Sequence, residues 1–234
     1  PGLEHTLQLF EHGEQLGFDG AWVRQRHLEP AVSSAPTLLA AATQRTQRIE
    51  LGCAVIQLGY ENPFRLAEDL STVDVLAQGR LQVGVSAGAP NHGALLGAHL
   101  LDGDPAQIDF SHQRVARLRN NIQGQSFGDT SSLVQSPAGE HMPRVYPHAA
   151  GLSQRLWYGG GSLASAEWAG RHGLHLLIGN LNRGEHSDQF FETQLAQLQR
   201  FRQHWSAPYI ARVAVGRVIV PTDSADADSR ARYQ

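Results

Sequence analysis

The 234-residue sequence predicts an α/β fold, a (β/α)8 TIM-like barrel of which the first and last strands are missing. Three observations predict it. Helical and strand-like segments alternate with short connections, the strand-like runs are apolar almost throughout, and the alternation starts on a helix and stops as another would begin. Alternation calls for parallel strands joined by crossover helices, and unbroken apolar runs belong to strands covered on both faces. One strand before Pro1 and one after Gln234 would complete the eightfold count. An open doubly wound sheet is the alternative, because six strands do not by themselves establish closure.

The elements follow in order. Leu3, Leu7, Phe10 and Leu16 have amphipathic spacing up to a stop at Gly17, and Phe18–Val23 is a short strand. Pro36–Arg48 reads as a helix with Arg45 and Arg48 near its negative end. Ile49–Leu58 reads as a buried strand, Pro63–Ala77 as a helix stopped by Gly79, and Leu81–Val85 as another strand. An irregular region over about Ala89–Gly151 interrupts the rhythm and holds one clear helix, Ser111–Gly124. The alternation resumes with strand Arg155–Tyr158, helix Leu163–His172, strand Leu174–Ile178, helix Ser187–Trp205, strand Val213–Val220 and a helix starting near Asp223. Residues 1–234 are read as a single domain with its insertion at about 89–151.

Composition narrows the class of function. With 41% hydrophobic and 18% charged residues the chain can bury a sizeable core. One cysteine excludes a disulfide scaffold. A net charge of -3 gives no field for nucleic acid, although every one of the 19 cations is Arg. No run approaches the roughly 18 apolar residues of a membrane helix, and no signal peptide opens the chain, so a cytoplasmic protein without membrane attachment is expected.

Four segments lie just past predicted strand ends, the face where such folds bind ligands. They are Arg24–Glu29, Ala54–Ile56 followed by Gly59–Pro63, Gly84–Gly88, and Gly159–Ser165. In the last, Gly159, Gly160 and Gly161 let backbone approach a ligand, while Ser162 can cap the next helix with Ser165 one turn on. That pattern suits a phosphate, and equally an ordinary strand-to-helix turn; it is neither a Walker loop nor the dinucleotide fingerprint. The 12 histidines form no metal-binding spacing, and only His27 follows a strand at the expected face. Cys53, inside an apolar strand, reads as an inert thiol.

Together these segments resemble the bacterial luciferase-like flavin monooxygenase superfamily over most of the chain. The resemblance rests on Gly17–Val23, on Thr43–Val55, on Asn62–Asp69 with Val73–Leu76 and Gly79–Val85, and on Ser162, Glu167–Ala169 and Gly173. It implies a barrel, usually dimeric, that uses reduced FMN and O2 to oxidise a small organic substrate through a C4a-hydroperoxide. A separate flavin reductase would supply the reduced FMN. Branches of the family use the deazaflavin F420 for hydride transfer, the main alternative; a non-catalytic flavin-binding relative is another. By the resemblance, Ala54 and Val55 lie beneath the isoalloxazine at a non-prolyl cis peptide. Ser86, Ala87 and Gly88 lie near the flavin tail, and Gly160, Gly161, Ser162 and Ser165 hold the phosphate.

Two departures qualify what the resemblance implies. Luciferases have an acidic residue and two histidines where this chain has Gln25, Arg26 and His27. Arg cannot act as a general base, so Arg26 is expected to stabilise negative charge and His27 to orient substrate or shuttle a proton. An Arg that luciferases use near the phosphate falls at Ala87. Arg80 is expected to be structural, paired with Asp74 or Glu68, and the helices Pro36–Arg48 and Pro63–Ala77 to form a homodimer face.

Overall fold

Leu7 and Phe10 lie about one turn apart, and their burial fixes the inner face of helix α1 (Gly2–Gln15). The computed structural model describes residues 2–129, 131–180, 185 and 187–233. Gly17, at φ +87°, turns the chain from α1 into strand β1 (Gly20–Val23). Helix α2 (Ala35–Thr43) has Pro36 in its first turn but stops short of the expected Arg48. The cause lies on α1. The Glu14 carboxylate accepts from the backbone N–H groups of Gln47, Arg48 and Ile49, satisfying them outside a helix. Arg45 likewise pairs with Glu4 and Glu11 of α1.

Strand β2 (Glu50–Gln57) is followed by a short 3-10 turn over Leu58–Tyr60. Helix α3 (Pro63–Leu76) is capped by the Asn62 side chain, which accepts from Phe64 and Arg65 N–H. Strand β3 (Leu81–Ser86) leads into the irregular region. That region contains the short helix α4 (Gly93–Leu96), helix α5 (His112–Ile122) and a hairpin of β4 (Val134–Ser136) and β5 (Gly139–His141). The rhythm then resumes with β6 (Leu156–Gly159), α6 (Leu163–Arg171), β7 (His175–Ile178), α7 (Phe190–Gln203), β8 (Val213–Val215) and α8 (Ala227–Tyr233). The last strand is shorter than the apolar run Val213–Val220 suggests. It pairs with β7 in register from Leu176↔Val213 to Ile178↔Val215, and β7 ends there. Val218 and Ile219, beyond it, are 73% and 82% exposed. The final helix accordingly starts at Ala227, not near Asp223.

The main sheet has the order β1-β2-β3-β6-β7-β8, every neighbouring pair parallel. Spatial order equals chain order, so the sheet winds in one sense; a doubly wound sheet reverses at a switch point. It is also strongly curled. On a flat sheet Glu50 and Arg212 would be separated by four strand spacings, roughly 19 Å, yet they form an ion pair at 2.8 Å. The rings of Trp22 on β1 and Trp157 on β6 meet edge-on with centroids 5.4 Å apart. Gly52, in register with Trp22, makes this possible: a Cβ there would lie 2.2 Å from the indole. The result is a curled, incomplete barrel with its helices outside and the β1 and β8 edges unjoined among the described residues.

At the end where the strands begin, side chains seal the fold. Trp157 Nε1 donates to Gln82 at 2.8 Å, the Arg212 guanidinium lies over the Trp157 ring, and buried His175 packs against it. Arg80 is structural as expected, with different partners: it donates to the carbonyls of Thr46, Ile49 and Ala77 and to Thr46 Oγ1. Asp74 instead forms a two-pronged pair with Arg155, and Glu68 pairs with Arg65. The backbone N–H of Leu81 also donates to Asp74 Oδ1, so Asp74 ties α3 to the entries of β3 and β6.

Candidate active site

The two ends of this sheet differ in what their side chains leave open. Where β1, β2, β3 and β6 end, small residues replace large ones, and a cleft of about 670 Å³ opens. Its walls come from Arg24 after β1, Ala54 and Val55 within β2, Ser86 ending β3, and Gly159, Gly160 and Gly161 after β6. Asn180 and Gly216, past β7 and β8, complete it, with Trp22 also contributing to the lining. Each of the four segments singled out by their positions after strands therefore lies on one rim, and three of them line the cleft directly with site residues expected there. Such a volume is within the usual range for small-molecule sites.

Local geometry explains the small residues. The Ala54–Val55 peptide is cis, as the resemblance implies, and the β2–β3 register shifts between Cys53 and Ile56. Val55 then packs across to β6, where a Cβ on Gly159 would lie 2.6 Å from Val55 Cγ1. At Gly160 an added Cβ would lie 2.4 Å from Ser165 Cβ. Any side chain at either position would fill the cleft wall or displace its support.

The expected phosphate residues occupy the start of α6. Ser162 is the N-cap: its Oγ accepts from Ser165 N–H at 3.1 Å and donates to Ser165 Oγ at 2.9 Å. The Leu163 N–H donates to the Glu185 carboxylate at 2.7 Å, so this helix end already accepts an anionic oxygen. Ser162 and Ser165 stand beside the cleft lining supplied by Gly160 and Gly161. Ala87 and Gly88 do not line it: Ala87 N–H faces the Tyr158 hydroxyl at 3.4 Å, and Gly88 N–H donates to Phe110 O. Burial pushes the Tyr158 phenol up, keeping it neutral beside Ser165.

Arg26 and His27 follow Arg24 on the same rim but are not part of the cleft lining. Arg26 lies 3.9 Å from Glu29, and its Nε is buried without a hydrogen-bond partner. The His27 imidazole stacks on Tyr60, centroids 3.9 Å apart, and Nε2 is 3.1 Å from the Gln25 carboxamide nitrogen. Gln25 is buried; its Nε2 also donates to Glu61 Oε1 at 3.2 Å, and its Oε1 accepts from Ala35 N–H at 2.9 Å. Burial pushes the Glu61 carboxyl up and the His27 imidazole down. Arg114 secures this corner by donating to the carbonyls of Leu58 and Glu61 at 2.8 and 2.5 Å. Cys53 is pushed up to about 12 by burial, the inert thiol expected. Among the described residues no group of three or more His, Cys, Asp or Glu could hold a metal ion, and no helix is long and apolar enough to cross a membrane.

Sequence reasoning missed Arg24 as a cleft residue and Glu61 as a half-buried partner of Gln25. Both stand in the segments it singled out, Arg24–Glu29 and Gly59–Pro63, so the signal was position after a strand. Tyr158 and Asn180 had no comparable signal, being the last residues of an apolar run and a loop position.

Known proteins share parts of this sequence and its fold. Limonene 1,2-monooxygenase of Rhodococcus erythropolis is 40% identical over 88 residues, 37% of this chain and 23% of that protein. The 4-hydroxyprotoasukamycin monooxygenase of Streptomyces nodosus subsp. asukaensis is 37% identical over 134 residues, 55% of this chain and 34% of its own length. The chain thus spans about a third or less of these curated relatives. Among solved structures, the oxygenating constituent of 3,6-diketocamphane monooxygenase from the CAM plasmid of Pseudomonas putida, in complex with FMN, superposes with TM-score 0.64. At 14% identity over 91% of this chain and 60% of that one, it shows the fold. F420-dependent proteins also share the fold. The family model for luciferase-like monooxygenases matches residues 1–234, from α1 through the cis Ala54–Val55 peptide to α8, and the chain belongs to that family.

Proposed function

We propose that the protein is an FMN-dependent monooxygenase that oxidises a small organic substrate at the strand-tip cleft. The observation behind this reading is one cavity lined by Arg24, Ala54–Val55, Ser86 and Gly159–Gly161 from separate strand ends. The residues fit the cofactor. Ala54, Val55 and the bare Gly159 offer a smooth wall for a flat ring, and the α6 N-terminus already accepts an anionic oxygen from Glu185. Gly160, Gly161, Ser162 and Ser165 would hold the phosphate. Ser86 would lie along the flavin tail, with Ala87 and Gly88 supporting the turn behind it. Arg24 at the cleft would supply the positive charge that Ala87 does not.

Reduced FMN, when bound, supplies the electrons that activate O2 for transfer of one oxygen atom. The chain's own groups shape what happens around it. Val55, packed against Gly159, would exclude water beneath the ring. Arg26 would lend positive charge at the rim, and His27 would present its imidazole to substrate. The irregular region between β3 and β6 would shape the substrate pocket. Reduced FMN would come from a separate flavin reductase. α2, together with α3, where Phe64, Val75 and Leu76 are 40–49% exposed, would meet the same helices of a second copy.

The test is incorporation of ¹⁸O from ¹⁸O2 into an apolar ketone or alkene, with reduced FMN supplied by a reductase. One labelled atom in the product is expected. Reduction of substrate without oxygen on supplying reduced F420, and no reaction with FMN, would replace this reading with hydride transfer.

A further inference from the structure

The Gln25 carboxamide has three contacts, and together they determine which way it faces. Its Oε1 accepts from Ala35 N–H at 2.9 Å, while its Nε2 lies 3.2 Å from Glu61 Oε1 and 3.1 Å from His27 Nε2. Turned over, the amide would set its oxygen against the Glu61 carboxyl oxygen and its NH2 against a backbone N–H. The contact with the Ala35 N–H would be repulsive whatever the protonation of Glu61, at a residue only 3% exposed. The NH2 group is therefore the one that faces His27, and a donor can only be met by an acceptor. His27 Nε2 must be unprotonated, which leaves the ring proton of the neutral imidazole on Nδ1.

We infer that Gln25 is a positioning residue that holds His27 neutral in its Nδ1–H tautomer. At the rim beside the cleft, His27 is thereby a hydrogen-bond donor through Nδ1 and not a base. Free imidazole favours the opposite tautomer, so the surroundings must select this one. The groups facing His27 are consistent with that selection. Tyr60 stacks flat on the ring, leaving its edge atoms to set the hydrogen bonding. Glu61, on the turn after β2, shares the Gln25 Nε2 group with the imidazole, and burial disfavours its charge. Arg26 is adjacent in the chain and turned to Glu29, Arg114 is engaged with the Leu58 and Glu61 carbonyls, and Cys53 is a neutral thiol. Protonating Nε2 would oppose an N–H to the Gln25 NH2 and force one of the two out of place.

The kinetic consequence rests on the proposed monooxygenase reading; the tautomer does not, and is measured on the protein without flavin. Long-range ¹⁵N–¹H NMR correlation of histidine-labelled protein distinguishes the tautomers. For His27, assigned by its loss in His27→Gln, the Nδ1–H pattern is expected. In Gln25→Glu the new carboxylate still accepts from Ala35 N–H but now also accepts from the ring. The proton is then expected on Nε2, with the His27 titration midpoint raised by about one pH unit or more. In turnover assays the same variant should move the acid limb of kcat upward while FMN affinity changes less than twofold. An Nε2–H pattern in the unsubstituted protein would overturn the inference, as would a His27 midpoint that Gln25→Glu leaves in place. If the tautomer is as stated but no flavin binds, it is the functional reading that fails.

Discussion

The two ends of the curled sheet are built from the same six strands and reach opposite solutions. At the strand entries, aromatic rings and paired charges close the sheet: Trp157 lies between Gln82 and Arg212, Glu50 grips Arg212, and Asp74 grips Arg155. At the strand exits, Ala54, Ser86 and three glycines withdraw side chains and leave a cleft. Packing at one end therefore permits absence at the other. Two histidines make the contrast concrete. His175, buried among Trp157, Trp205 and Tyr209, is a structural acceptor for Arg212 N–H, whereas His27, at the rim, stacks on one ring and accepts from one amide.

Substitutions at the two ends should separate stability from binding. The largest effect is expected at the entry end. Asp74→Ala leaves the partly buried Arg155 without its partner and should cost about 3–5 kcal/mol in urea unfolding, with FMN affinity unchanged in whatever protein remains folded. A fall in affinity without a fall in stability would erase the division between the ends.

Acid should unfold the protein through His175. Burial first, then Arg212, holds its imidazole down to about 4 from an ordinary value near 6.5. The unfolded chain therefore binds the extra proton between those values, and stability falls as pH drops through that window. The full difference corresponds to roughly 3 kcal/mol. His175→Gln should flatten the acid limb of a stability–pH curve; an unchanged limb would assign acid sensitivity elsewhere.

At the exit end, Gly160→Ala places a methyl group against Ser165 and should weaken FMN binding about tenfold or more, close to 1.4 kcal/mol, measured by fluorescence titration. Glu185→Gln weakens the anion now at Leu163 N–H and should tighten FMN by a few-fold; looser binding would mean that Glu185 helps hold the ligand. The smallest effect is expected for Ser162→Ala, which removes the α6 cap and should cost about 1 kcal/mol of stability together with a loss of FMN affinity.

The rim was more legible in the sequence than the entry end. Apolar runs followed by Gly, Ser or a charged cluster mark strand exits, so Ala54–Val55, Ser86 and Gly159–Gly161 could be placed on one face before any fold was known. The entry-end pairs could not. Glu50 meets Arg212 only because the sheet curls, and Asp74 meets Arg155 only because β6, after the long irregular region, pairs with β3; nothing local names either partner, so the sequence offers Arg80 carboxylates that the fold gives to other arginines. The same holds for Gln25 and Glu61, whose contact depends on the parallel β1–β2 pairing. The ends of α2 and β8 failed for a related reason: Glu14 stops the first and the length of β7 the second, and both lie elsewhere in the chain.

The most direct measurement compares FMN with riboflavin by titration. The two differ only in the phosphate, which would sit at the turn from Gly160 to Ser165. FMN should bind about 10- to 100-fold more tightly, the contribution of charge-assisted hydrogen bonds, and Ser162→Ala should narrow that gap. Equal affinity for the two, or a gap that Ser162→Ala leaves intact, would contradict it.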